Sequence, residues 1–311
     1  MNFEAPPMGQ QMKGERQFVV TMLAPIFLIL ICFYLYPTVF NFYNSFTDLS
    51  LLGLRRGGSF IGLGNYAKLL GSADFYRVLW NTAVWLTAVS VALRVVLGFG
   101  VALLLNSEPV RKYRLVTLSR LILLVPWATP PVVAVIVFRW LLDQRLGAVN
   151  RMLMALGIID LPIAFFGDVR WVWPSVITII VWNTLPMVSL TFLAALQSLP
   201  EELIEAAKVD GATGPQRIRY IILPHLRPTM VVITLLSTFW TFNNFLYVWL
   251  TTGGGPGSYT NVIATDIYIK AFIEYHLGYS SAIGVFAALL MAAFALVYLR
   301  VVARREFQEI L

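Results

Sequence analysis

Polar side chains recur at helical spacing in the apolar stretch 229–252. Thr234, Ser237, Thr241 and Asn244 are separated by three, four and three residues, so an uninterrupted helix would place all four on one face. Lipid cannot satisfy such groups, which therefore face protein or a water-filled cavity. Two interpretations stay open: hydrogen bonds that join helices, or the uncharged wall of a cavity for a hydroxyl-rich solute.

A second group of candidate residues surrounds a proline in another apolar stretch. The group is Trp182, Asn183, Thr184 and Met187, and the proline is Pro186. Because proline has no N–H, the carbonyl four residues earlier loses its helical partner and the helix is expected to kink. Amide, hydroxyl and aromatic groups together suit a sugar, so we expect this group to form the opposite wall of the cavity. The alternative is a packing kink with Trp182 in the core.

Arg94 is a charged residue near the middle of the apolar stretch 78–105. A charge in that position is costly unless it is paired or hydrated. The sequence leaves three roles open for it: an ion pair with an acid of a partner subunit, contact with a water-filled path, or binding of an anionic substrate.

Composition predicts the elements that must position these residues. Hydrophobic residues make up 59% of the 311 residues and charged residues 13%, against roughly 45–50% and about 25% in soluble proteins. The excess apolar surface must face lipid. A membrane-spanning helix needs roughly 20 mostly apolar residues. Six stretches qualify, namely 18–40, 78–105, 117–142, 171–196, 229–252 and 281–303. We therefore predict an all-α membrane protein with six transmembrane helices.

The distribution of lysine and arginine predicts the orientation of these helices. With the N-terminus inside, 13 basic residues fall in inner segments and eight in outer segments. The bias is sharpest in the short link 106–116 and at the C-terminal end, and short loops are where the positive-inside rule is most reliable. We predict that 1–17 is a cytoplasmic N-terminal segment, that 18–311 is one transmembrane domain, and that both termini are cytoplasmic. The net charge of +7 forms no dense basic block, so we expect no nucleic-acid partner.

Prolines predict where the chain changes direction. Pro126, Pro130 and Pro131 are expected to bend the third span, and Pro224 and Pro228 are expected to prepare a turn into the fifth.

The inner segment 197–228 is predicted to contain a short helix bounded by residues that end helices. Pro200 suits a helix start, and the acids that follow it suit the positive end of the helix dipole. Ala206 and Ala207 are small enough for another surface to approach closely. Gly211 then supplies the flexible residue that commonly ends a helix.

Several short motifs accompany this helix at fixed spacing. They are Glu205-Ala206-Ala207, Asp210-Gly211-Ala212, Gln216 and Ile222-Leu223-Pro224, with Phe242-Asn243-Asn244-Phe245 and Leu250-Thr251-Thr252-Gly253-Gly254-Gly255-Pro256 further on. The first set resembles the EAA loop of permease subunits in binding-protein-dependent ABC importers. The second resembles the MalF/UgpA/LacF type, which are permeases of carbohydrate importers. The resemblance covers nearly the whole chain from about residue 18, but the chain lacks the large periplasmic insertion of MalF.

The resemblance implies a type I ABC importer permease in the bacterial inner membrane. It implies that the EAA loop couples the chain to an ATPase subunit through Glu205, Ala206, Ala207, Asp210 and Gly211. It also places Ser237, Thr241 and Asn244 on the substrate-facing stripe, although Thr241 stands where MalF carries Asn. The implied solute is a carbohydrate, such as an oligosaccharide, a glycoside or a polyol-like compound.

The same resemblance implies the partners. These are a second homologous, MalG-like permease, two ATPase subunits that bind ATP and Mg, and a periplasmic binding protein that delivers the solute. The chain itself is expected to bind no cofactor and no metal. It contains no phosphate-binding G-x-x-x-x-G-K-[ST] motif, and the glycine-rich run 253–257 has no lysine.

Two other classes remain as alternatives. A secondary transporter without an ATPase partner would favour carboxylates inside the membrane for ion coupling, and the six predicted spans contain no Asp or Glu. An intramembrane enzyme would need a catalytic pair, and the motifs of such pairs are missing from the sequence.

Overall fold

The computed structural model describes residues 8–108, 110 and 116–300. Five helices in these ranges are long and apolar enough to cross a membrane, and two shorter helices joined at a bend form a sixth span. The five are Phe18–Asn44, Ala73–Leu105, Val172–Gln197, Gly214–Phe242 and Leu277–Tyr298, and the bent third span is Thr117–Ala128 followed by Pro131–Leu141. The only β-pairing within the described ranges is an isolated bridge between Thr47 and Phe60. The predicted all-α architecture is confirmed.

Shorter helices lie between the spans or, in one case, form the start of a span. They are Leu51–Arg56, Gly64–Leu70, Ala73–Trp80 at the start of the second span, Ala148–Ala155, Glu201–Val209, Leu246–Thr252 and Ile263–Tyr268. The helix of the first span begins at Met8, ahead of its apolar run. After Leu246–Thr252 the chain makes turns in which Gly253, Gly254 and Gly257 have positive φ, a conformation that glycine adopts at little steric cost.

The third span is broken rather than continuous. Its two helices meet at 92°, whereas the sequence predicts one bent span over 117–142. The reason lies in the two consecutive prolines. A residue before proline is disfavoured in the helical region, and this applies both to Thr129 and to Pro130. Pro130 accordingly has an extended conformation, with φ −55° and ψ 138°.

The fifth span begins and ends earlier than predicted. A continuous helix runs from Gly214 to Phe242, so Pro224 and Pro228 lie inside it and do not turn the chain. A π-helical turn at Ile218–Ile222 immediately precedes Pro224, and such turns change the hydrogen-bond pattern without ending a helix. The predicted stretch 229–252 is therefore two helices.

Asn243 marks the end of the fifth span. Its side-chain amide donates to the carbonyl of Phe239 at 3.0 Å, and its backbone N–H donates to the same carbonyl at 3.3 Å. Asparagine side chains compete in this way with the helical hydrogen-bond pattern, which explains the break before Leu246–Thr252.

The described residues form two compact units. One unit holds the residues up to Leu70 together with Lys270–Val285. Within it, the buried Asn65 amide donates to the carbonyls of Ser45 at 2.9 Å and Thr47 at 2.7 Å. These bonds fix the segment that follows the first span.

The other unit holds residues 71–269 and the chain from Phe286. Its centre is the fourth span. In the most apolar 18-residue stretch of that span 61% of the residues are buried, compared with 33% in the second span. Gly98 on the second span allows a close approach to the fourth, because a Cβ at Gly98 would lie 2.8 Å from a methyl carbon of Val188. Two apolar clusters enclose the fourth span, one around Trp173 and Ile180 and one around Phe192.

Some predicted features lie outside the described residues. Among the basic residues that predict the orientation, Arg111, Lys112, Arg114, Arg304 and Arg305 are in this group.

Candidate functional site

Three of the four polar residues predicted to form one stripe do so. Ser237 and Thr241 are buried on the fifth span, with Thr234 half-buried on the same face. Asn244 does not continue the stripe, because the helix ends at Phe242. Its Oδ1 instead accepts the backbone N–H of Tyr247 at 3.2 Å, an arrangement typical of a cap at the start of the helix Leu246–Thr252.

Asn183 on the fourth span joins three elements. Its amide donates to the carbonyl of Pro126 at 2.6 Å and to that of Thr129 at 3.0 Å. Its Oδ1 accepts the hydroxyl of Tyr247. Pro130, four residues after Pro126, has no N–H to donate to the Pro126 carbonyl. The Pro126 carbonyl also accepts the Thr129 N–H at 3.3 Å, so Asn183 adds a second donor to it and a donor to the Thr129 carbonyl at the break in the third span.

The neighbours of Asn183 make contacts within the protein. Trp182 packs edge-on against Phe138, with ring centroids 5.2 Å apart. The hydroxyl of Thr184 donates to the carbonyl of Ile180 at 2.6 Å, and Met187 is half-buried. The predicted role of these side chains in binding a solute stays a prediction.

Arg94 lies against the predicted cavity wall. Its side chain is 3% exposed, and its Nη2 donates to the Thr241 hydroxyl at 2.6 Å. The sequence predicts an uncharged wall, but the structure places a guanidinium on it. The three roles that the sequence leaves open for Arg94 stay predictions.

The inner segment contains the predicted short helix, Glu201–Val209. Pro200 precedes it, and Gly211 follows with φ +79°. The Gly211 N–H donates to the Lys208 carbonyl at 3.1 Å and the Ala212 N–H donates to the Ala207 carbonyl at 2.9 Å. This pair of bonds is a Schellman motif, in which the left-handed residue is normally glycine.

The helix Glu201–Val209 presents most of its side chains to the exterior. Glu205 and Ala206 are exposed, and Ala207 is buried. A groove of about 540 Å3 runs beside the helix. It is lined by Glu201, Ile204, Glu205 and Lys208 of the helix, with Asn106, Leu196 and Ile222 among the other residues. Lys208 Nζ lies 3.1 Å from Glu108 Oε1, which ties the helix to the end of the second span.

An exposed helix of fixed length, held by a Schellman turn, adjoins spans that carry buried polar side chains. The residues that sequence reasoning missed are Tyr247 and the carbonyls of Pro126 and Thr129. The sequence contains a signal for the Pro126 carbonyl, because Pro130 has no N–H to donate to it, but none for the carbonyl of Thr129, since Val133 four residues later has an N–H.

Comparison with known proteins identifies the family. Residues 94–307 match the family described as binding-protein-dependent transport system inner membrane component. The sulfoquinovosyl glycerol transport system permease protein SmoG of Agrobacterium fabrum is 35% identical, over 94% of this chain and 92% of its own. The trehalose/maltose transport system permease protein MalF of Thermococcus litoralis is 33% identical, over 92% of this chain and 94% of its own.

Solved structures show the same fold. A bacterial ABC transporter involved in the import of the acidic polysaccharide alginate contains a chain that superposes with a TM-score of 0.83 at 24% identity, covering 96% of this chain and 99% of that chain. The chain belongs to the family of inner-membrane components of binding-protein-dependent transport systems. It is a multi-pass permease subunit of an ABC importer in the bacterial inner membrane.

Proposed function

We propose that this chain, with a second homologous permease of the MalG kind, forms the translocation path for a carbohydrate. The solute would be an oligosaccharide, a glycoside or a polyol-like compound, delivered by a periplasmic binding protein. The observation that carries the proposal is the likeness to SmoG and MalF, whose names specify a sulfoquinovosyl glycerol and a trehalose/maltose system, over more than nine-tenths of the chain.

The energy would come from two partner ATPase subunits that bind ATP and Mg. The helix Glu201–Val209 would dock on one of them, with the exposed Glu205 and Ala206 on the docking side, the buried Ala207 packing the helix against its own chain, and Asp210 and Gly211 in the turn that follows. One such helix per permease and two ATPase subunits imply the second permease. The exposed Glu205 and the groove beside it support this assignment.

The proposed membrane orientation puts both termini and the segment 197–228 in the cytoplasm, with the glycine-rich turn 253–257 outside. It rests on the excess of Lys and Arg in the segments predicted to be inside. The same orientation puts the docking helix on the side where ATP is available.

Purification of the complex tests the proposal. A tagged chain expressed with its chromosomal neighbours should carry an ATPase and a second permease through purification in mild detergent. In proteoliposomes, uptake of a carbohydrate should require both ATP and the binding protein. Uptake that runs on an ion gradient without any ATPase would instead show a secondary transporter and would contradict the proposal.

A further inference from the structure

Four buried polar side chains lie on the second and fifth spans, and two of them, Arg94 and Thr241, are joined by a hydrogen bond. Thr87, Ser90 and Arg94 follow one another at intervals of three and four on the second span, so they share one face of it. Their side chains are 6%, 0% and 3% exposed, and Thr241 of the fifth span is 3% exposed. We call these four residues the Arg94 cluster.

The Arg94 cluster contains more hydrogen-bonding groups than the protein satisfies. Arg94 Nη2 donates to Thr241, but Arg94 Nε, the Thr87 hydroxyl and the Ser90 hydroxyl are buried without a hydrogen-bond partner. In the described residues only two other buried side-chain polar atoms lack a partner, those of Arg120 and Trp173. Three of the five therefore lie along one helix face.

Three buried polar atoms without partners lower the stability of the fold. We read this cost as an indication that a ligand supplies their hydrogen-bond partners. A buried polar group without a partner costs about 1–3 kcal/mol, and more when it is charged. Within the ranges 8–108, 110 and 116–300, no carboxylate forms an ion pair with Arg94. Arg94 Nε is unpartnered while Nη2 donates to Thr241, so an oxyanion that replaced the Thr241 hydroxyl would meet two donors on one edge of the guanidinium. Two hydroxyls on the same face add donors for the remaining oxygen atoms.

We propose that the Arg94 cluster is the subsite that binds the acidic group, a carboxylate or a sulfonate, of a transported glycoside. This inference rests on the proposed function and narrows its substrate class to acidic carbohydrates. In the present conformation the Thr241 hydroxyl occupies one donor of the guanidinium. Thr87 lines a groove of about 540 Å3 together with Thr234 and Thr238 of the fifth span; the rest of that lining is mostly apolar, and the other three residues of the cluster are not part of it. If the second and fifth spans move apart, the acidic group of the ligand would replace the Thr241 hydroxyl as the acceptor of Arg94 Nη2.

The experiment compares two sugars that differ in one group. Sodium D-glucuronate and D-glucose have the same ring, but only glucuronate carries a carboxylate. Each is titrated onto the purified importer complex without its binding protein, at equal ionic strength set with sodium chloride, and binding is measured from the thermal stability of the complex. The wild-type complex should bind glucuronate about tenfold more tightly than glucose, or about 1.4 kcal/mol. Methanesulfonate and inorganic sulfate in parallel distinguish a carboxylate site from a general oxyanion site.

Arginine variants give the control. Arg94→Met should reduce the preference for glucuronate to within about twofold, whereas Arg77→Met should keep it. Arg77 lies on the same helix, is exposed and pairs with Asp74, so its loss removes an equal charge away from the cluster. If Arg94→Met prevents assembly, Ser90→Ala carries the test, since it removes one unsatisfied hydroxyl and should weaken glucuronate binding while leaving glucose binding unchanged.

The outcomes separate this inference from the proposed function. Equal binding of glucuronate and glucose by the wild-type complex, or an unchanged preference in Arg94→Met or Ser90→Ala, would overturn the acidic subsite. ATP-dependent uptake of a neutral carbohydrate would still support the carbohydrate importer. Preference for glucuronate in a complex that transports no carbohydrate would instead contradict the importer's proposed substrate class.

Discussion

Asn183 shows how a residue predicted to bind solute can carry structure. Its two amide donors and its oxygen all meet buried or partly buried partners on the third span and at Tyr247. A sugar hydroxyl would have to displace one of these partners. The polar character that makes Asn183 a candidate in the sequence is thus already used in the folded chain.

Asn183→Ala should therefore reduce the stability of the permease. Each buried group left without its partner costs about 1–3 kcal/mol. The substitution removes the Asn183 donor to the Thr129 carbonyl and the acceptor of the Tyr247 hydroxyl, whereas the Pro126 carbonyl keeps the Thr129 N–H. The measurement is the yield and thermal stability of the purified complex. Thr178→Ala on the same span is the control, because the exposed Thr178 hydroxyl donates to a carbonyl of its own helix. Equal stability of the two variants would contradict this role for Asn183.

Asn244 allows binding and capping to be separated by two substitutions. If its amide binds solute, both Asn244→Ala and Asn244→Ser should lower transport per complex by about tenfold or more, a loss that corresponds to about 1.4 kcal/mol. Basal ATP hydrolysis should persist in both. Serine retains a capping oxygen, so only alanine should also lower the yield, through a capping loss of about 1 kcal/mol. Full transport by Asn244→Ser would assign Asn244 to the cap alone.

At the scale of the elements, Gly211 determines how the helix Glu201–Val209 ends. Its φ of +79° is unfavourable for most residues with a side chain, by roughly 1–2 kcal/mol, although less so for Asn and Asp. Gly211→Asp should leave membrane insertion intact and uncouple ATP hydrolysis from transport, because it disturbs the turn that orients the docking helix. The measurement is the ratio of solute transported to ATP hydrolysed in proteoliposomes.

Gly214→Asp provides the matched control for this prediction. It adds the same charge three residues further on, at a position with an ordinary φ and open space around its Cα. Coupling should be retained in this variant. If both variants lose coupling, the added charge near the ATPase explains the loss, and the turn at Gly211 does not.

The elements differ in how far the sequence determines them. Five spans were predictable because a run of about 20 apolar residues has few alternatives to a membrane helix. The break of the third span at Pro130 and the end of the fifth at Asn243 were not, since prolines are tolerated inside membrane helices when neighbouring groups satisfy the backbone. Pro224 and Pro228 stay helical, whereas Pro130 and Pro131 do not. The consecutive prolines distinguish the third span, because Thr129 and Pro130 are then both disfavoured in the helical region, and Asn183 supplies donors at the break.

The sequence predicts only those parts of the candidate site that depend on neighbouring residues. Ser237 and Thr241 follow from helical periodicity along one stretch. The contact between Arg94 and Thr241 joins residues 147 positions apart, and no local pattern specifies it. The motifs of the inner helix could be found because the Schellman turn at Gly211 depends on neighbours in sequence.

The orientation of the whole chain decides which loops can meet an ATPase. The charge bias that predicts the orientation is 13 basic residues against eight, and part of it lies outside the described residues. The transport mechanism requires the helix Glu201–Val209 on the ATP side. The Lys and Arg bias and the position of the helix Glu201–Val209 must therefore agree on which side of the membrane is the cytoplasm.

Cysteine labelling tests that orientation directly. Cys32 is the single cysteine of the chain, so Cys32→Ser gives a background without thiols. In right-side-out vesicles, a membrane-impermeant maleimide should label Ser258→Cys in the glycine-rich turn, because this exposed residue lies outside in the predicted topology. It should label Glu202→Cys, exposed on the inner helix, only after the vesicles are opened with detergent. Labelling of Glu202→Cys in sealed vesicles, with Ser258→Cys protected, would reverse the topology and place the docking helix where no ATPase could reach it. Six spans keep both termini on one side, so these two positions fix the orientation of the entire chain.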